Sequence, residues 1–171
     1  MAKGLAAEAI EHFKTALMLN GDSADIHNNL GNAYMFTGAT EKAIEHYLLS
    51  LKINPGNAQI HSNLGNVYMS KGLTNDAVRH YTAALKLKPE FADAYNNLGN
   101  AYAAQGLTDE AIKQYRAAIE LKPDYADPHY NLGLVYLGEG LKDKALREFE
   151  AALQIRPDFA KARKHIESVR K

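Results

Sequence analysis

Seven histidines and a recurring set of asparagines are the side chains of this 171-residue chain whose type and spacing could do chemistry. An imidazole can hold a metal or move a proton. His27, His61 and His129 fall in one 34-residue register, and His12, His46 and His80 in another. Packed helices stand ~8–10 Å apart, so equivalent histidines of successive repeats sit too far apart to share one metal at bonds of ~2 Å. No metal site is expected; a mild pH dependence from His27, His61 and His129 is. There is no cysteine, hence no disulfide and no thiolate ligand. No phosphate-binding glycine loop, GxSxG or HExxH occurs. The chain is therefore read as having no catalytic residue, no cofactor and no enzymatic activity.

The asparagines are more informative. Asn29, Asn63, Asn97 and Asn131 recur every 34 residues. Asn32, Asn66 and Asn100 follow three places on, with Leu134 in the fourth copy, and Asn28 and Asn96 precede two of them. Asparagine is a poor helix former, so a stripe of nine costs stability. Its amide can donate to a backbone carbonyl and accept from a backbone N–H at once, which suits capture of an extended peptide whatever its side chains. Steps of ~10 Å match about three extended residues. Met35, Phe36 and Met69 lie beside the stripe and could add an apolar, shape-adapting contact or meet helices upstream. Asp25, Asp93 and Asp127 favour a neutral or basic ligand. The alternative use of the amides is bonding to one another, or to water, between repeats.

The elements that must position these residues follow from the same period. Taking Ala24, Ala58, Ala92 and Ala126 as position 1, glycine recurs at position 8 and again at 15 (Gly31 and Gly38 in the first unit). An aromatic recurs at 24 (Tyr47, Tyr81, Tyr115, Phe149), and proline at 32. In 92–125, Ala94, Leu98, Ala101 and Tyr102 make one apolar helix face. Gly106 ends that helix and Thr108 is the expected N-cap of the next. Ala111, Ile112, Tyr115 and Ala118 form the second face, which Pro123 closes. The predicted layout is one domain over 1–171: a lone second helix at 5–20, full repeats at 24–57, 58–91, 92–125 and 126–159, and a capping helix at 160–171. The lone helix leaves Ile10, Phe13 and Leu17 as an edge for self-association, unless upstream sequence has been removed. The cap carries Lys161, Lys164, His165, Arg170 and Lys171 on its wet side, a charged end that a solenoid needs.

These positions, with Leu-Gly at 7–8, Tyr at 11 and Ala at 20, resemble the tetratricopeptide repeat (TPR) family across nearly the whole chain. The resemblance implies an all-α solenoid of antiparallel helix pairs stacked into a right-handed superhelix. Its first helices would line a concave protein-binding groove. Asn29, Asn63, Asn97 and Asn131 match the asparagine ladder of the TPR superhelix in O-linked N-acetylglucosamine transferases, where those asparagines hold a peptide backbone. The catalytic domain of those enzymes is absent, so binding carries over and catalysis does not. Chaperone-binding TPR domains grip a carboxylate tail with lysine and arginine at positions 2, 5 and 6. No full repeat here has either residue there. The implied function is a protein-binding scaffold or adaptor. The alternatives are an oligomeric scaffold and the targeting domain of a larger enzyme. Twenty basic against twenty acidic side chains leave no field to draw nucleic acid. No segment suits membrane insertion, and a cytoplasmic location is expected.

Overall fold

The computed structural model describes residues 3–170, which form ten α-helices and, among the described residues, no strand. They are α1 (Lys3–Asn20), α2 (Ala24–Thr37), α3 (Thr40–Ile53), α4 (Ala58–Ser70), α5 (Thr74–Leu87), α6 (Ala92–Ala104), α7 (Thr108–Leu121), α8 (Ala126–Gly138), α9 (Lys142–Ile155) and α10 (Ala160–Val169). The helices pair as α2/α3, α4/α5, α6/α7 and α8/α9. Lys171, the last member of the basic C-terminal cluster, lies outside the described residues.

The chain divides into two compact units, Met1–Leu87 and Lys88–Lys171. Repeat stacks bury each face on the next element and have no single core. The first unit centres on Leu30, Tyr34, Tyr47, Ile60 and Leu64, the second on Tyr115, Leu132, Tyr136, Phe149 and Ile166.

Each first helix ends in the same way. Gly38, Gly72, Gly106 and Gly140 have φ of 83°, 72°, 73° and 74°. The next N–H reaches back to a tyrosine carbonyl one turn inside: Ala39 to Tyr34 (2.9 Å), Leu73 to Tyr68 (2.9 Å), Leu107 to Tyr102 (2.9 Å) and Leu141 to Tyr136 (2.8 Å). This is a Schellman turn with glycine in the left-handed place. The residue that closes it also opens the second helix. Leu107 therefore holds the N-cap position of α7, no side chain caps that helix, and Thr108 is its first residue rather than its cap. Between repeats the chemistry differs once: Asn57 Oδ1 accepts from the Gln59 and Ile60 N–H groups (3.0 and 3.2 Å) and caps α4.

The two helices of a repeat meet at position 8. A methyl group on Gly31 would lie 2.5 Å from the Tyr47 ring, on Gly99 2.6 Å from Tyr115, and on Gly133 2.6 Å from Phe149; Gly65 faces Tyr81 in the same way. These rings are buried, so none can swing away. Replacing Gly99 with Ala should raise helix propensity by about 1 kcal/mol, yet overpacking should cost about 1–3 kcal/mol. The net expectation is a lower urea midpoint for Gly99→Ala, with the helical circular-dichroism spectrum kept. An unchanged or higher midpoint would show that the ring is free to yield.

An amide stripe with recesses along the first helices

The same aromatic that fills the glycine notch holds an asparagine. The Tyr47 hydroxyl donates to Asn32 Oδ1 (2.7 Å), Tyr81 to Asn66 Oδ1 (2.7 Å) and Tyr115 to Asn100 Oδ1 (2.8 Å). In the fourth repeat position 24 is Phe149, without a hydroxyl, and position 9 is Leu134, without an amide. Positions 9 and 24 thus change together. Each bond uses the asparagine carbonyl as its acceptor. Burial raises the Tyr47 pKa to about 12 and lifts Tyr81 and Tyr115 as well, so these hydroxyls stay protonated donors.

Position 6 forms the bridges between repeats. Asn63 Nδ2 donates to Asn32 Oδ1 of the preceding repeat (3.2 Å), and Asn63 Oδ1 accepts from Gln59 Nε2 (3.1 Å). In the second unit Asn131 Nδ2 donates instead to Asn96 Oδ1 (3.0 Å), and Asn96 Nδ2 donates to Asn97 Oδ1 (3.3 Å). The amides therefore do bond to one another between repeats, by two alternative routes. The route not used in the first unit leaves a mark: Asn28 Oδ1, equivalent to Asn96 Oδ1, is buried without a hydrogen-bond partner among the described residues. Asn29 is exposed.

Recesses open along this stripe at a fixed register. One of about 160 Å³ is lined by Met35, Tyr47, Asn63, Asn66 and Val67. One of about 340 Å³ in the second unit is lined by Asn100, Ala103, Tyr115, Asn131, Leu134 and Val135. Both combine positions 12 and 24 of one repeat with 6, 9 and 10 of the next. A third, of about 360 Å³ and mainly apolar, lies between α1 and α2, with Phe13 in the position-24 place facing Asn29, Asn32, Ala33 and Phe36. Met35 and Phe36 thus serve different recesses, and Met69 lines none of the three.

The edge differs from the sequence expectation. Ile10 is buried in the core of the first unit, and Phe13 and Leu17 are half-buried against it. The exposed apolar side chains of α1 are Leu5, Met18 and Leu19, because α1 turns its expected edge face onto α2. Two acidic position-2 residues are engaged. Asp127 pairs with Arg156 (2.7 Å), and Asp93 bonds the Tyr125 hydroxyl, whose pKa is raised by burial first and by Asp93 next. Asp25 remains exposed.

Histidines also pair within a repeat, a contact that comparing equivalent positions one period apart does not reveal. His27 Nδ1 faces His46 Nδ1 at 2.9 Å and His61 Nδ1 faces His80 Nδ1 at 3.0 Å. His129 Nδ1 faces Glu148 Oε2 at 2.7 Å. The sequence signal is the polar pairing of positions 4 and 23 in each repeat: His/His twice, Tyr95/Gln114, then His129/Glu148. No group of three or more His, Cys, Asp or Glu side chains that could hold a metal occurs among the described residues. No described helix is long and apolar enough to cross a membrane.

Within each unit, helical hairpins of fixed length that present polar amides define a helical-repeat scaffold for protein interaction. A TPR repeat family model matches residues 1–38, 32–72, 65–106 and 99–140, and a tetratricopeptide repeat model matches 126–159. The chain belongs to the tetratricopeptide repeat family. No curated protein matches it. Solved structures do. One is a crystal structure of MamA, at 30% identity and a TM-score of 0.82, with 93% of each chain covered. Another is YrrB, described as a TPR protein with an unusual peptide-binding site, at 26% identity and a TM-score of 0.79, with 96% of this chain and 84% of that one covered. A chain of the APC/C hetero-tetramer Cut9–Hcn1 matches at 26% identity and a TM-score of 0.86. That match covers 98% of this chain and 34% of the longer one.

The covariation of positions 9 and 24 yields a quantitative expectation. Tyr115→Phe removes a donor and should cost about 0.5–1.5 kcal/mol, and Asn100→Leu strands the hydroxyl at about 1–3 kcal/mol. The double variant recreates the Leu134/Phe149 combination and should be close to wild type. A double-mutant cycle by urea denaturation measures the coupling; strictly additive losses would show that the pair is not a unit.

Proposed function

We propose that this chain is a non-catalytic scaffold that binds an extended peptide or protein segment along its first-helix faces. The observation that carries this reading is the recurrence of recesses at one register, each rimmed by a position-6 asparagine. Asn29, Asn63, Asn97 and Asn131 would donate to and accept from the peptide backbone. Asn32, Asn66 and Asn100 would contribute further amide contacts, since tyrosine already orients their carbonyls. The recesses would take side chains, Phe36 in the apolar one between α1 and α2 and Met35 in the next. Met69 would lend adaptable surface nearby.

The energetics favour several weak contacts over one strong one. Three position-6 amides, Asn63, Asn97 and Asn131, already bond to neighbouring amides, so a peptide exchanges those bonds instead of adding them. A net ~0.5–1.5 kcal/mol per rung is the ordinary yield of such a bond. The described peptide-binding site of YrrB, a structural neighbour, agrees with this class of ligand. With no lysine or arginine at positions 2, 5 or 6 of the full repeats and Asp25 exposed, the ligand is neutral or basic and is not held by a carboxylate terminus. Nucleic acid and membrane insertion have no place in this reading, no cofactor is needed, and the cytoplasm is the proposed compartment. A second reading, self-assembly, is favoured by the exposure of Leu5, Met18 and Leu19 on α1.

The test is selection from a random peptide library, followed by calorimetry on the winners. The wild type is compared with a variant carrying Ala at Asn29, Asn63, Asn97 and Asn131, after circular dichroism confirms that both fold. At ~0.5 kcal/mol or more per amide, four losses should weaken binding on the order of 30-fold or more, and amidating the peptide's C-terminus should change nothing. Equal affinity for both proteins would sink the ladder. If no peptide is selected while light scattering shows a multimer that Met18→Glu dissolves, self-assembly is the better reading.

A further inference from the structure

The two histidine pairs are titratable groups at hairpin interfaces that peptide binding does not use. Both lie in the first unit, each at the interface of a helical hairpin. His27 on α2 faces His46 on α3, and His61 on α4 faces His80 on α5. The rings are layered: His46 stacks on Tyr34 and His80 on Tyr68, each at 5.3 Å between centroids. His27 is buried and the other three are half-buried.

An Nδ1-to-Nδ1 contact of this length is a hydrogen bond in which one ring donates and the other accepts. A pair with no extra proton makes it, and so does a pair with one. A pair with two extra protons cannot, because two N–H donors and two positive charges then face each other across 3 Å. We propose that these pairs make the first unit acid-labile: when both members of a pair take up protons, α2 is driven from α3 and α4 from α5, while the second unit keeps its structure.

The surrounding groups do not rescue the doubly charged state. Around the first pair, α1 contributes Lys14 and α3 contributes Lys42, both opposing charge on His46, against Glu45 of α3, which favours it. Asp22, before α2, lies 3.6 Å from His27 Nε2 but is largely in solvent, where water and salt screen it. Around the second pair, Arg79 opposes and Asp76 favours charge on His80, and those two are themselves an ion pair. The Pro55 carbonyl supports a proton on His61, against the larger effect of burial.

Burial lowers the pKa of His46 and His61 below the usual 6.5 and brings His80 to about 4, with the charge of the partner histidine adding to the effect for His46 and His80. The unfolded chain therefore binds more protons than the folded one below pH 6.5. The stability these groups contribute is complete above that value and is lost as the pH falls below it, for His80 down to about 4. The second unit is an internal control. It has Tyr95/Gln114 in one repeat, and in the other the Glu148 carboxylate, which accepts a bond from a neutral or a charged His129 ring.

Hydrogen exchange at pH 7 and pH 5, expressed as protection factors, tests this on the full chain. Protection within Ala24–Leu87 should fall on the order of tenfold or more at pH 5, and that of α6 to α10 by less than about twofold. A His46→Gln/His80→Gln variant, using the side chain already present at Gln114, should lose the difference. An equal fall in both units, or a fall that survives in the variant, overturns the proposal. Should that variant fail to fold, 15N-imidazole titration of the wild type decides. Histidines titrating in steps well below pH 6 uphold it; a single step for all seven near the ordinary histidine value overturns it.

Discussion

The approach of an aromatic ring to a glycine inside each hairpin is the constraint on which the rest depends. Position 8 must lack a Cβ for the position-24 ring to lie across the first helix. That contact fixes how closely the two helices meet and which way the ring points. The ring's tip then reaches position 9 in three repeats and holds an amide carbonyl there. The inter-repeat recesses exist because the same ring forms one of their walls. A buried packing residue thereby sets the chemistry of an exposed surface.

The hairpins share this device but differ in what lies farther along the same interface. Positions 4 and 23 carry two imidazoles in each repeat of the first unit, and an imidazole with a carboxylate in the last. Neither choice alters the fold, because the glycine–aromatic contact has already set the helix separation. The slot is left able to vary in charge, and the two compact units differ there more than in their apolar cores.

Most of the architecture was legible in the sequence because the repeat states each rule four times. The helix limits, the left-handed glycines and the close approach at position 8 all follow from residue type at a fixed register. Thr108 misled because a threonine before an acidic pair has the form of an N-cap, while the Schellman turn had already committed Leu107 to that place. The histidine pairs are hidden for a different reason. Comparing equal positions one period apart asks about neighbouring repeats, whereas the contacts run 19 residues apart within one. The asparagine stripe was visible as a stripe, but its internal bonding was not. Whether Asn63 donates to Asn32 or to Asn28 turns on side-chain rotamers, which composition and spacing do not encode. Ile10, Phe13 and Leu17 were assigned to an open edge because α1 has no partner helix in its own repeat; in the structure α2 receives that face instead.

The tyrosine–asparagine bond joins residues 15 apart, and the position-4 to position-23 contact joins residues 19 apart, so both close within one repeat of 34. A block of that length carries its own matched partners wherever it is placed. Duplication or loss of a whole block keeps every such match. Lineages of such chains are therefore free to change length in whole repeats, and the number of rungs can drift without any rung having to be reinvented.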